Sequence, residues 1–368
     1  MIIKSINLIN YKNIKQAELV LNEGINCFVG NNGVGKTNLL DAIYYLSYCK
    51  SCFNSVDSQL INHDEKFFVI QGEYDRLDYQ ENIYAGFKVN EKKQFKRNKK
   101  DYQRLSDHIG LLPLVLISPS DEKLIIEGGE QRRRYIDSVI SQFDKQYMEH
   151  ILRYNRAIVQ RNSLLKSLKG NRSNLRSMLE VWDAQLILSG TVIYEKRMEF
   201  IKHLLPVFQE YYSYISDDKE VVDLIYNSHF DDGDFEEQLI RNHERDLILG
   251  HTSRGVHRDD ITLLLNGYPI RKMGSQGQIK TFFIALKLAQ YDFLKKNCNF
   301  SPLLLLDDMF DKLDSKRGSK LVNLVSEDLF KQIFITDTQY DRLLDVVKQT
   351  GKEYSFFIVD NGEIVEKK

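Results

Sequence analysis

At residues 25–40 the chain reads "INCFVGNNGVGKTNLL", and most of its architecture can be worked out from how this segment must fold. Ile25–Val29 is a short apolar run with the look of a strand. Gly30-Asn31-Asn32-Gly33-Val34-Gly35-Lys36-Thr37 follows, and then Leu39, Leu40, Ile43 and Leu46 recur at helical spacing. This is G-x-x-x-x-G-K-[ST] in the strand–loop–helix setting that the motif requires. Glycines let the backbone curl so that its N–H groups face a phosphate, and the helix N-terminus adds partial positive charge. Lys36 can reach the β- and γ-phosphates of a nucleotide, and the Thr37 hydroxyl can ligate Mg²⁺. The expected cofactors are therefore ATP and Mg²⁺, held by Gly30, Asn31, Asn32, Gly33, Val34, Gly35, Lys36, Thr37 and Asn38.

A P-loop needs an acidic partner, and "SPLLLLDDMFDKLD" (301–314) supplies one. Leu303–Leu306 is fully apolar, as expected for a parallel strand covered on both faces. It ends in Asp307 and Asp308, at the carboxyl end of the strand, where α/β sheets place their ligands. Asp307 is expected to hold Mg²⁺ through water. Asp308 is expected to polarise the attacking water, as general base or as its orienting group, so Asp308 and Lys36 are the candidate catalytic pair.

A second glycine-bearing helix opening stands at "MGSQGQIKTFFIALKLAQ" (273–290). Phe282, Leu286, Ala289 and Phe293 fall on one stripe of a helix that begins near Gln278. Ser275, Gly277 and the free N–H groups of the first turn would face outward from its N-terminus. A plain turn capped by Ser275 explains the same letters, and this segment alone favours that plainer reading.

Composition sets the outer bounds. The 368 residues suggest two domains, or one domain with a large insertion. Lys and Arg total 51 against 52 Asp and Glu, a net charge of −1, so any nucleic-acid contact must be a local patch. No apolar run reaches membrane-spanning length, and "MIIKSINLIN" alternates polar and apolar residues, so no membrane association and a cytoplasmic location are expected. Cys27, Cys49, Cys52 and Cys298 are too few for a disulfide framework. The one C-x-x-C, at 49–52, lacks a second pair, so reduced thiols are expected.

Along the chain, short alternating runs at Lys4–Ile9, Ala17–Leu21, Phe67–Gly72 and Asn82–Val89 read as strands. Between about Asp121 and Lys202 the period becomes helical: one helix at 146–168, broken near Gly170, and another from about Leu179 to Leu205, ending at Pro206. The acidic "DDGDFEE" (231–237) reads as a solvated loop, and strands return after about His251. Two basic segments stand out. "KKQFKRNKK" (92–100) should tip a hairpin, and residues 150–179 carry Arg and Lys without any acid. Such arrays can bind phosphates. Arg153, Arg156, Arg161, Lys166 and Lys169 nonetheless spread around their helix instead of forming one stripe, and "RRR" (132–134) could instead pair with acids.

Taken in order, a P-loop, a helical insertion, the Ser275 turn and an acidic strand are the layout of the ATP-binding-cassette superfamily. The signature there, usually L-S-G-G-Q, would read Gly274-Ser275-Gln276-Gly277-Gln278. More specifically the chain resembles the RecF family, bacterial DNA replication and repair proteins related to the SMC and Rad50 ATPase heads. The resemblance is carried by "INYKNI" (9–14), "GNNGVGKTNLLDAIYYLS" (30–47), "LISPSD" (116–121), "RRRYID" (132–137) and "YNRAIVQRNSLLK" (154–166). "VWDAQL" (181–186), "GVHRDD" (255–260), "GSQGQIKTFFIALKLA" (274–289) and "LLLLDDMFDKLD" (303–314) continue it nearly end to end.

The resemblance implies an α/β fold: an ABC-type P-loop ATPase head, with a mixed β-sheet lobe and a Rossmann-like core, carrying an inserted helical lobe. The expected divisions are 1–120 and 247–368 for the ATPase lobe and 121–246 for the insertion. It implies ATP-driven homodimerisation in which Ser275, Gln276, Gly277 and Gln278 act in trans, closing on the nucleotide of the other subunit, with Asp314 lining the seam. It further implies slow, DNA-dependent ATP hydrolysis, binding to double-stranded or gapped DNA in recombinational repair, and partnership with RecR and through it RecO. Gln-loop duties would fall near Ser118–Asp121, although no glutamine is there. Where many relatives place a switch histidine, at the end of "QIFIT" (332–336), this chain has Thr336-Asp337-Thr338, so the switch role is unassigned. Asn54 stands about where the family carries an arginine. An SMC- or Rad50-like structural head would need long coiled-coil arms that this insertion lacks. A transporter ATPase would need no DNA affinity.

Overall fold

A computed structural model describes residues 1–77, 79–168, 174–309 and 315–367 of the chain. The chain packs as two units, each described by itself below. The first holds 1–121, 214–216 and 284–368; the second holds 122–213 and 217–283.

The first unit contains two six-stranded sheets. One is antiparallel and runs in the order Ile14–Val20, Ile2–Tyr11, Phe67–Arg76, Tyr79–Lys88, Gln94–Arg97, Lys100–Asp101. The other runs Glu363–Lys367, Tyr354–Asp360, Ile25–Val29, Ile333–Asp337, Leu303–Leu306, Leu114–Ile117, parallel throughout except for its first strand. Three of its central strands are buried at every residue, which explains the unbroken apolar spelling of Leu303–Leu306. The P-loop helix, Lys36–Tyr48, buries Leu39, Leu40, Ile43, Tyr45 and Leu46 in one core shared with both sheets. A helix so enclosed gives its first turn little freedom, and that first turn is where phosphate chemistry would occur.

The second unit is mainly helical: Gly129–Ile140, Lys145–Ser167, Leu175–Ser216 (its last residues counted with the first unit) and Phe235–Leu249. It also contains a three-stranded antiparallel sheet, Tyr268–Pro269, Asp260–Leu265 and Val222–Asn227. Those strands carry the unit past residue 246, where the sequence reading ended the insertion. The return to the first unit falls at 283/284, within the helix Gln276–Cys298.

Three local expectations change. The helix expected to stop at Pro206 runs through it to Ser216. Leu204, Phe208 and Tyr212 are fully buried on either side, and that packing outweighs one lost backbone bond. The acidic 231–237 stretch is exposed apart from the buried Phe235, and its second half opens a helix. Asp234 caps Phe235–Leu249 by accepting from the Glu237 N–H at 2.8 Å, and Glu236 and Glu237 sit in the positive first turn. The helix expected near Gln278 begins at Gln276, and it is buried beyond the expected stripe, with Phe283, Ile284, Ala285 and Leu288 also enclosed. The tip of the 92–100 segment is a hairpin turn as expected, with Asn98 and Lys99 at φ +50° and +68°.

Candidate nucleotide site

The P-loop begins where the buried Ile25–Val29 strand ends. Gly35 closes the loop at φ +115° and stands at the N-cap of the Lys36–Tyr48 helix, and no side chain caps that helix. An L-side chain is strained at that φ, and a Cβ there would lie 2.6 Å from Asn13 Oδ1. With no side-chain cap, the helix end offers N–H groups to an external anion, although the Asn38 N–H turns back to the Gly35 carbonyl at 3.0 Å.

Distant segments brace the loop. Asn13 Nδ2 donates to the Val34 carbonyl at 2.7 Å, and Asn38 Nδ2 donates to Asn13 Oδ1 at 2.7 Å. The Gly362 N–H donates to the same Val34 carbonyl at 3.0 Å. Gly362 has φ +85°, and a Cβ on it would sit 2.2 Å from the Asn13 carbonyl oxygen. Neither Asn13 nor Gly362 was singled out by motif reading, because each acts from a turn far from the loop. Asn38, placed among the nucleotide-binding residues from sequence, is here a brace for Asn13.

The strand register assembles the acidic side. Leu306 lies opposite Ile335 and Ile117, so Asp307 and Thr336 emerge level with one another. Thr37 Oγ1 donates to Asp307 at 2.9 Å and 3.1 Å, to its two carboxylate oxygens. Thr336 Oγ1 donates to Asp307 Oδ1 at 2.9 Å and accepts from the Asp308 backbone N–H at 2.8 Å. Lys36 Nζ donates to the Gly30 and Asn31 carbonyls at 2.8 Å and 3.0 Å and lies 4.0 Å from Asp308 Oδ1. Burial pushes the Asp307 carboxyl above its usual range, and the hydroxyls of Thr336 and Thr37 partly offset this. The sequence-predicted Lys36, Thr37, Asp307 and Asp308 are thus brought together, while Thr336 joins them without having been foreseen as a partner.

The hydroxyl–carboxylate arrangement suits a hard cation. With its proton directed at Asp307, Thr37 Oγ1 turns its lone pairs outward, and one hydroxyl with one carboxylate is the sparse all-oxygen set that Mg²⁺ completes with phosphates and water. Among the described residues no group of three or more His, Cys, Asp or Glu could hold a metal ion.

Other expected elements fall as follows. Ser118–Asp121 closes on itself, the Ser118 N–H donating to Asp121 Oδ2 at 2.8 Å, and Asp121 pairs with Lys287 at 2.9 Å. Asp337, after the core strand, accepts from Arg342 Nη2 at 2.6 Å and 2.9 Å and from the Gln339 N–H at 2.8 Å. Its backbone carbonyl receives the Gly30 N–H at 3.3 Å. Asp314 lies outside the described residues.

In the second unit, the Ser275 turn forms a reciprocal cap. Ser275 Oγ accepts from the Gln278 N–H at 3.3 Å, and Gln278 Oε1 accepts from the Ser275 N–H at 2.7 Å. Gln278 Nε2 donates to Glu220 at 2.6 Å, and the Tyr212 hydroxyl donates to the other Glu220 oxygen at 2.5 Å. Ser275 and Gln276 are exposed.

The basic segments divide by burial. Arg161 is wholly buried, donating to Asp183 and Asp246 at 2.7 Å each and to Thr252 at 3.0 Å, so it is a structural cation. Arg132 forms a two-pronged pair with Asp260, Arg133 donates to the Asp259 carbonyl, and Arg134 pairs with Glu130. Arg97 pairs with Glu81 and Lys93 with Asp57. Arg156, Lys166 and Arg176 are exposed, while Lys169 lies outside the described residues.

With this geometry established, comparison with known proteins is specific. The RecF/RecN/SMC N terminal domain family matches residues 2–360. A relative from Phocaeicola vulgatus, "DNA replication and repair protein RecF", is 52% identical over 370 residues, covering 100% of this chain and 99% of its own. A solved structure, "Structure of the recombination mediator protein RecF-ATP in RecFOR pathway", aligns with a TM-score of 0.90 at 31% identity, covering 100% of this chain and 98% of that one. An Smc head domain from Pyrococcus furiosus aligns with a TM-score of 0.59 at 18% identity, covering 100% of this chain and 96% of that one, which is likeness of fold alone. No described helix is long and apolar enough to cross a membrane.

Proposed function

The chain belongs to the RecF family, and from that premise we propose that it is an ATP-dependent DNA-binding protein of recombinational repair whose ATP site is the P-loop described above. The observation that carries this reading is the cluster of Lys36 and Thr37, in the first turn of the P-loop helix, with Asp307 and Asp308, which follow the Leu303–Leu306 strand of the same parallel sheet. The loop residues Gly30–Thr37 wrap the phosphates. Lys36 leaves the Gly30 and Asn31 carbonyls for the β- and γ-phosphates. Thr37 and Asp307 would hold Mg²⁺, which would supply charge neutralisation at the phosphates, and Asp308 would orient the attacking water. Asp308 is one methylene shorter than the glutamate of many cassette ATPases, which accords with slow turnover and with hydrolysis acting as a switch.

Ser275, Gln276, Gly277 and Gln278 then serve a second copy of the chain, closing over its γ-phosphate when ATP is bound. Duplex or gapped DNA is the substrate of the assembled dimer, and RecR, with RecO behind it, is the protein partner. Exposed Arg156, Lys166 and Arg176 offer phosphate contacts for the DNA.

Sedimentation of the full chain tests this reading, with and without ATP–Mg²⁺ and a gapped duplex. ATP-dependent doubling of mass together with DNA co-sedimentation supports it. A monomer that ignores both ligands contradicts it.

A further inference from the structure

Asp308 is the only non-glycine residue among the strand-end acids and threonines of this site held at positive φ, at +46°. Aspartate enters that region more readily than most L-residues, but at a cost that contacts around it can offset. The structure points to Thr336. Its hydroxyl accepts from the Asp308 N–H at 2.8 Å and donates its single proton to Asp307 Oδ1 at 2.9 Å, while the Asp308 carboxylate is farther, at 3.5 Å. One hydroxyl thus joins the two acids through donor and acceptor roles that cannot be exchanged, because the Asp308 amide can only donate and the carboxylate can only accept. Thr336 itself is fully buried in the Ile333–Asp337 strand, next to Leu303–Leu306, so its position is set by sheet register and not by a loop. The neighbouring Asp337 is occupied by Arg342 and cannot take over this task.

We propose that Thr336 is a positioning residue for ATP hydrolysis: its hydroxyl fixes the backbone of Asp308, and so the direction in which the Asp308 carboxylate meets the attacking water. This rests on the reading of Asp308 as the water-orienting group. On this reading Thr336 acts through Asp308, and its loss is felt there. Valine at this position keeps the β-branched shape suited to a central strand but removes the proton and the acceptor. Serine keeps both.

The test uses the full chain with Mg²⁺ and duplex DNA, measuring ATP turnover and, separately, binding of a fluorescent ATP analogue. For Thr336→Val the expected kcat loss is about tenfold or more, with KM and analogue affinity within about twofold of the unmodified chain. Thr336→Ser should keep kcat within about threefold. If Val prevents folding, Thr336→Ala removes the same hydroxyl without added bulk and is read in its place. Asp308→Asn separates the two levels. An Asp308→Asn protein that turns over normally overturns the role of Asp308 and this inference with it. An inactive Asp308→Asn beside an unimpaired Thr336→Val overturns the inference alone. A Thr336→Val defect that excess Mg²⁺ restores places the effect on Asp307 and also overturns it.

Discussion

The two glycine-bearing helix openings, at Gly35 and at Ser275, look alike on paper and are built in opposite ways. The first has no side-chain cap of its own and is braced from outside by Asn13, Gly362 and the Val34 contacts. Its lysine reaches back to loop carbonyls, and its threonine is tied to an acid that lies 270 residues away in sequence. The second is closed by its own letters, Ser275 and Gln278 capping each other, with Glu220 holding Gln278. A helix end left open by its own chain is ready for an anion at once. One that is self-capped must exchange protein contacts for ligand contacts, which suits a surface engaged only when a partner arrives.

Variants at the two openings should therefore fail differently. The largest effect is expected at Lys36. Lys36→Ala should lower ATP turnover by at least about a hundredfold, because Lys36 Nζ, held at the Gly30 and Asn31 carbonyls, is the cation placed to meet the phosphates. Retained turnover would remove the P-loop from the chemistry. Gly362→Ala comes next. The added Cβ meets the Asn13 carbonyl and the φ is strained, so a loss of about 1–3 kcal/mol of stability is expected, with weakened ATP binding, in thermal melts with and without nucleotide. Ser275→Ala should cost about 1 kcal/mol in the second unit, through the lost cap, while leaving ATP affinity of the single chain unchanged. Equal damage to ATP affinity from both changes would erase the contrast between the two openings.

The smallest effect concerns pH and belongs to the second unit. Burial, chiefly, pulls His257 down to about 4 from 6.5. Its ring lies 2.9 Å from the Tyr154 hydroxyl and 3.1 Å from the Thr252 carbonyl, partners that suit the neutral form. In the unfolded chain the imidazole binds a proton below about 6.5, whereas in the folded chain it does so only near 4. Stability contributed by neutral His257 is therefore complete above 6.5 and is lost as pH falls toward 4. Melting temperatures between pH 7 and pH 4 should fall less steeply for His257→Gln than for the unmodified chain. Parallel curves would show that this residue carries no such dependence.

Much of the nucleotide site could be read from the sequence, because strand, glycine loop and helix are contiguous and each has a local physical signature. The acidic strand was legible for the same reason: four leucines followed by two aspartates leave few other readings. Thr336, Asn13 and Gly362 were not, since their roles depend on strand order and register, which no local pattern encodes. The Ser275 turn lay between these cases. Its capping residues were visible, but the tie from Gln278 to Glu220 depends on a contact 58 residues apart in sequence. Arg161 shows the reverse error, a basic residue in a polar-looking helix that is wholly enclosed by Asp183 and Asp246. Pro206 shows that packing on both sides can carry a helix through a residue that would end it in isolation.

The claim that one opening serves the chain's own nucleotide and the other serves a second copy is tested most directly by sedimentation of Ser275→Arg beside the unmodified chain, each with and without ATP–Mg²⁺. The account predicts that the unmodified chain doubles in mass with ATP, while Ser275→Arg binds the nucleotide with unchanged affinity and stays monomeric. Dimerisation of Ser275→Arg to the same extent would contradict it.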